Sequence, residues 1–132
     1  MNEVWGPLIL CVDDERTGLL MRKLLLEAKG YRVVTAESGA EGIAILSTQA
    51  VDLVLLDYML PGEDGGVIAE KMKKIKPLAP ILMLSAYVDL PSERLACVDR
   101  YVIKGQAPTT LLNAVTDMLD GSSTASSQPP AA

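Results

Sequence analysis

The chain contains no histidine. That removes the commonest general base and metal ligand, so any chemistry must rest on carboxylates, a hydroxyl and lysine. Cysteine is scarce as well. Cys11 and Cys97 lie in apolar surroundings with neither a paired spacing nor a zinc pattern, which predicts two buried, reduced thiols in a cytosolic protein. Long apolar runs are missing: the first, Leu8 to Val12, is far too short to span a membrane, and no basic segment precedes it as a signal peptide would require. The expectation is a cytoplasmic protein with no membrane partner. Positive charge is in deficit, with 12 Lys and Arg against 17 Asp and Glu and a formal net charge of -5, which argues against a nucleic-acid surface and favours a basic partner.

What is present is enough for one core. At 132 residues and 49% hydrophobic, the chain reads as a lead-in over 1–6, one domain over 7–120, and a tail from 121 to 132. The tail, rich in Ser, Thr, Ala, Gln and Pro without periodicity, reads as disordered or as the start of a linker. Within the domain, all-apolar runs alternate with helical patterns. Leu8 to Val12, Leu53 to Leu56 and Pro80 to Leu84 read as strands buried on both faces, with Arg32 to Thr35 and Arg100 to Ile103 as two more. Helical stripes fall between them: Leu20, Met21, Leu24, Leu25 and Ala28; Ile43 and Leu46 behind the capping signature Ser38 to Glu41; Ile68, Ala69, Met72 and Ile75. Pro91 marks a short helix to about Cys97, and Pro108 opens a last one whose inward residues are Leu111, Leu112, Val115 and Leu119. The predicted fold is α/β: a doubly wound, five-stranded parallel sheet with right-handed crossovers and helices on both faces.

The stretch that organises the chain is Asp52 to Gly65, where a buried strand ends in Asp57 and a Pro-Gly turn follows. Ligands of open α/β sheets bind at the carboxyl ends of strands, so Asp57 is placed as a reactive group. An isolated Asp after a strand more often makes a turn or caps the next helix, but Asp64 already fills the capping role. Asp13 and Asp14, Ser85 and Lys104 also stand at strand ends. Each has an ordinary explanation on its own; together they converge on one crevice. Three carboxylates about 4 Å apart would repel by roughly 4 kcal/mol per pair at an effective dielectric near 20, and so call for protons or a cation. Hard oxygen ligands in small number suit Mg2+ or Mn2+, which keep waters and share their shell with a phosphate. A carboxylate nucleophile, a divalent-metal site, a lysine and a hydroxyl donor specify phosphoryl transfer onto Asp57.

With those residues in place the chain resembles the receiver domain of bacterial two-component response regulators over roughly residues 7 to 120. The resemblance implies a flavodoxin-like sheet of order 2-1-3-4-5, phosphorylation of Asp57 from a histidine kinase or phosphotransfer protein, and catalysis limited to metal-dependent self-phosphorylation and self-dephosphorylation. It implies that Asp14 ligates the metal directly, Asp13 acts partly through water, Asp57 is both ligand and acceptor, and Met59 gives its backbone carbonyl. Ser85 is implied to bind a phosphoryl oxygen, Lys104 to pair with the phosphate, and Tyr101 to turn inward as the switch aromatic. Met59 and Tyr87 stand at the positions that tune hydrolysis, and their bulk predicts a long-lived phosphoryl group. The downstream target stays open, and a phosphorylation-dependent dimer is compatible with the family.

The chain departs from the family pattern in two places. Gly105 follows Lys104 where the family has proline, often after a cis bond; a cis bond to a non-proline residue costs about 3 kcal/mol, so a trans loop is expected. The stretch from Ser85 to Tyr101 is also short, which trims the fourth helix. Two rival readings follow. One is an interaction domain that keeps the fold without phosphorylation. The other is a flavodoxin-like cofactor binder, disfavoured because a nucleotide phosphate needs Gly, Ser or Thr donors where Asp13, Asp14 and Glu15 stand.

Overall fold

The computed structural model describes residues 6–86 and 90–124, leaving aside the side chains of residues 94 and 121–124. Three wholly buried strands, β1 (Leu8–Val12), β3 (Leu53–Asp57) and β6 (Ile81–Ser85), form the middle of a parallel sheet. β2 (Arg32–Ala36) and β7 (Arg100–Ile103) are its edges, in the order β2-β1-β3-β6-β7. Counting only these five strands, that is the order 2-1-3-4-5, as expected.

Alternation along the strands divides the core in two. Leu10, Val12, Val54, Leu56, Ile81 and Met83 face the layer formed by α2 (Gly39–Thr48) and α3 (Gly65–Ile75), where Leu46, Ile68, Ala69 and Met72 are buried. Ile9, Cys11, Leu53, Leu55, Leu82 and Leu84 face α1 (Arg16–Glu27) and α4 (Pro108–Thr124), which contribute Leu19, Leu26, Leu111, Ala114 and Val115. Burying each such Leu, Ile, Val or Met contributes about 1.5–3 kcal/mol, and the two-sided burial explains why the middle strands are apolar throughout.

Local signals set the boundaries. Ser38 accepts from Glu41 N at 3.1 Å to cap α2, and the Glu41 carboxylate accepts from Glu37 N at 2.8 Å. Asp64 caps α3 by accepting from Val67 N at 2.9 Å. Pro61-Gly62 turns a small antiparallel pair, β4 (Met59–Leu60) with β5 (Glu63–Asp64), and Gly62 takes the positive φ of 80° that such a Pro-Gly turn requires.

Several sequence expectations are corrected. The apolar stripe assigned to α1 is rotated: Leu20, Met21 and Leu24 are exposed, and Leu19 and Leu26 are buried. Apolar residues at 19, 20, 21, 24, 25 and 26 cover more than half of the helix circumference, so periodicity alone could not choose the inward face. Ile75, placed in the stripe of α3, is exposed at its end. The segment opened by Pro91 is a single 3-10 turn, Ser92–Leu95, rather than a two-turn α-helix. α4 runs past Asp120 to Thr124. Cys11 is buried, with its thiol pushed up to about 12 chiefly by burial, while Cys97 is only half-buried; both are free.

Candidate functional site

Parallel register brings the carboxyl ends of the strands level. Val12 lies beside Leu56 and Ala36, Asp57 beside Leu84, and Ser85 beside Ile103, so the residues that end or follow these strands meet at one rim. Asp13 and Asp14 follow β1, Asp57 ends β3, Ser85 ends β6 and Lys104 follows β7.

The carboxylates of Asp13, Asp14 and Asp57 come together, each offering an oxygen within 4.8 Å of the others. Asp13 and Asp57 are 2% and 4% exposed, whereas Asp14 faces solvent, so the cluster is open on one side and walled on the other. Lys104 reaches into the cluster, its Nζ 2.6 Å from Asp57 Oδ1 and 3.4 Å from Asp13 Oδ2. The loop that delivers it contains no cis bond; Gly105 takes φ +89°, which proline, held near -65°, cannot adopt. Ser85 is buried at 1% exposure, and its carbonyl accepts from Lys104 N at 2.8 Å, which ties β6 to the lysine loop.

Electrostatics follow from this crowding. Burial raises the pKa of Asp57, and the Asp13 charge raises it further, against the lowering by the Lys104 hydrogen bond and charge and by Arg22. Burial alone would lower Lys104, but its hydrogen bond to Asp57 and the charges of Asp57 and Asp13 outweigh it, and its pKa is raised. The lysine therefore stays charged and the aspartate ionises reluctantly.

The backbone also crowds Asp57. Gly65 N donates to Tyr58 O at 2.6 Å, and a Cβ on Gly65 would stand 2.8 Å from Tyr58 Cα and 2.9 Å from Asp57 O. Only glycine lets the first turn of α3 approach the end of β3 this closely.

The remaining candidates divide. Met59 follows Asp57 by two residues and its side chain is 55% exposed; Tyr87 lies outside the described residues. The Tyr101 ring packs against the α2 and α3 side of the core, and its hydroxyl is buried without a hydrogen-bond partner among the described residues, so it does not point into water as an edge-strand tyrosine would. One residue escaped the sequence reading. Arg22, outside the apolar stripe read for α1, pairs with Asp13 Oδ2 and is only 16% exposed.

A doubly wound parallel sheet of order 2-1-3-4-5 defines the flavodoxin-like class, and the clustered carboxylates at its carboxyl edge are donors that suit a hard cation. Comparison narrows this to one family. Residues 9–116 match the model of the response regulator receiver domain, and the chain belongs to that family, the receiver domains of two-component response regulators. It is 34% identical over 123 residues to the transcriptional regulatory protein GlrR of Escherichia coli K12, covering 91% of this chain and 28% of that protein. It is 36% identical over 115 residues to the uncharacterized transcriptional regulatory protein YbdJ of Bacillus subtilis, covering 86% of this chain and 50% of that one. The chain thus spans about a quarter to a half of these curated relatives. Among solved structures, a CheY-like receiver domain protein from Methanospirillum hungatei superposes with a TM-score of 0.85 at 31% identity over 90% of this chain and 98% of that one. The response regulator TrrA of Thermotoga maritima, solved in complex with Mg2+-BeF, gives 0.81 at 34% identity over 86% and 99%. The donor set here fits the same kind of ion: hard carboxylate oxygens from Asp13, Asp14 and Asp57, with Asp14 facing solvent.

Proposed function

We propose that this chain is a phospho-accepting signalling module in which Asp57 receives a phosphoryl group from a histidine kinase or phosphotransfer protein. The observation that carries the reading is the convergence of the carboxylates of Asp13, Asp14 and Asp57 with Lys104 Nζ at one rim. Asp13, Asp14, Asp57 and the Met59 backbone carbonyl are the groups that would hold Mg2+ or Mn2+. When bound, that ion neutralises charge on the phosphoryl oxygens and on the acceptor.

The chain's own residues do the rest. An Asp57 carboxylate oxygen attacks phosphorus, an O–P bond forms, the donor's P–N bond breaks, and the leaving nitrogen keeps the electron pair. Lys104 already sits on Asp57 Oδ1 and is placed to follow the developing charge onto a phosphoryl oxygen. Ser85, on the neighbouring strand end, supplies a hydroxyl donor, and its movement would be read by Tyr101, whose buried hydroxyl has an unmet hydrogen bond to gain. Met59 and Tyr87 would shield the product from water. The chain is not an enzyme beyond this self-modification. We place it in the cytoplasm, where a kinase's transmitter would meet it, with a protein target or a fused effector as output and no nucleic acid bound by this domain. No described helix is long and apolar enough to cross a membrane.

The donor's approach also has a structural basis. Exposed Met21 and Leu24 on α1 border a groove of about 610 Å3 that runs to Lys104, Gly105 and Pro108. An apolar helical surface of the phosphodonor protein seated there would bring its phosphohistidine over the acidic rim.

Intact-mass measurement tests the reading. After incubation with a small phosphoryl donor and Mg2+, wild type is expected to gain one phosphoryl group and Asp57→Asn none. Modification of both proteins, or of neither, removes the assignment.

A further inference from the structure

Arg22 has no part in the transfer described above, yet it occupies the site. Its guanidinium pairs with Asp13 Oδ2, the oxygen that Lys104 Nζ approaches at 3.4 Å, while Asp13 Oδ1 accepts from Glu15 N at 3.0 Å. Both oxygens of Asp13 are therefore engaged by the protein itself. The arrangement is built into α1. Gly18 stands one turn before Arg22, and a Cβ there would meet Glu15 Oε1 at 2.9 Å and Arg22 Nη1 and Nη2 at 3.4 and 3.5 Å.

Charge counting gives the consequence. Three carboxylates against Lys104 and Arg22 leave one net negative charge at the rim; without Arg22 there would be two. A divalent cation arriving at the unphosphorylated site meets half the charge and a competitor already seated on Asp13. The phosphoryl group adds negative charge beside Asp57, which Arg22 then offsets.

We propose that Arg22 is a resident counter-cation that sets the divalent-metal affinity of this site: it weakens Mg2+ binding before phosphorylation by competing for Asp13. The proposal rests on the reading of the acidic cluster as a metal site, but it concerns the unphosphorylated protein and needs no phosphoryl transfer.

The test is calorimetric titration of the unphosphorylated full chain with Mg2+. Arg22→Leu is expected to bind Mg2+ about tenfold more tightly than wild type at low ionic strength, with the difference shrinking as salt is raised. Arg22→Gln keeps a polar side chain without the charge and is expected to shift the same way, which covers failure of the Leu variant to fold. Arg22→Lys should stay near wild type. Lys23→Gln removes a neighbouring charge paired with Glu27 at 2.7 Å rather than with Asp13, and should leave the affinity unchanged. Equal or weaker Mg2+ binding by both neutral variants, an equal shift in Lys23→Gln, or no Mg2+ binding by any protein overturns the proposal. Tighter binding by the neutral variants of a chain that nevertheless fails to phosphorylate at Asp57 would uphold Arg22's role and remove the function proposed above.

Discussion

At the scale of single residues, the site works against the fold that carries it. Asp57 is nearly buried among like charges, and its pKa lies above the ordinary 3.8. A carboxyl whose folded pKa exceeds its unfolded value contributes stability that is fully present below the unfolded pKa and is lost as pH rises through the folded one, so at neutral pH the ionised form is a net burden. Asp57→Asn is therefore expected to melt higher than wild type near about pH 7 in chelator, with the gap closing as the pH falls toward about 4. Thermal melts across that range check it; a variant less stable than wild type at neutral pH would contradict it. Glycines carry a different constraint. Gly65→Ala puts a methyl against the backbone at Tyr58 and Asp57, atoms that cannot give way singly, and is expected to destabilise by about 1–3 kcal/mol in urea denaturation. Gly105 sits at φ +89°, so installing proline after Lys104 should withdraw the lysine rather than improve its reach.

Helix α1 shows how an element can be right in extent and wrong in orientation. Its existence was legible from the periodic leucines, but its inward face was not. The face that packs holds Leu19 and Leu26 with Arg22 and Lys23 half-buried between them, and Arg22 pairs with Asp13 at the end of β1. A sequence pattern prices every charge as solvent-facing; it cannot see a counter-charge supplied by another element. In the docking proposed above, the residues left outside would have a use. Leu24→Arg, on the outer face, is expected to slow phosphorylation by a kinase about tenfold or more while leaving phosphorylation by a small donor intact. Equal loss with both donors would show damage to the site instead of to docking. Helix α2 is simpler: Ser38→Ala removes the cap on Glu41 N and should cost about 1 kcal/mol without touching the rim.

At the scale of the whole molecule, two layers of helices clamp a sheet whose one open edge collects charge. Mg2+ bound to the native rim alone should raise the melting temperature with concentration, following mass action, and EDTA should reverse the gain. Asp13→Asn should reduce the shift, since it removes one of the clustered carboxylates. A melting temperature insensitive to Mg2+ in wild type would contradict a metal site at the cluster.

The chain order of apolar runs and helical stripes was sufficient to determine a parallel doubly wound sheet, the strand ends that carry Asp13, Asp57, Ser85 and Lys104, and the caps Ser38 and Asp64. Those are properties of short windows, where period and turn chemistry speak directly. Only the tertiary structure decided which face of α1 turns inward, that Ser92–Leu95 makes one tight turn, that the Tyr101 hydroxyl is buried, and that Arg22 joins the acidic rim. The inward face of α1 and the burial of the Tyr101 hydroxyl depend on packing against other elements, and Arg22 meets Asp13 across the junction of β1 and α1, a contact between two elements that leaves no periodic trace in either alone.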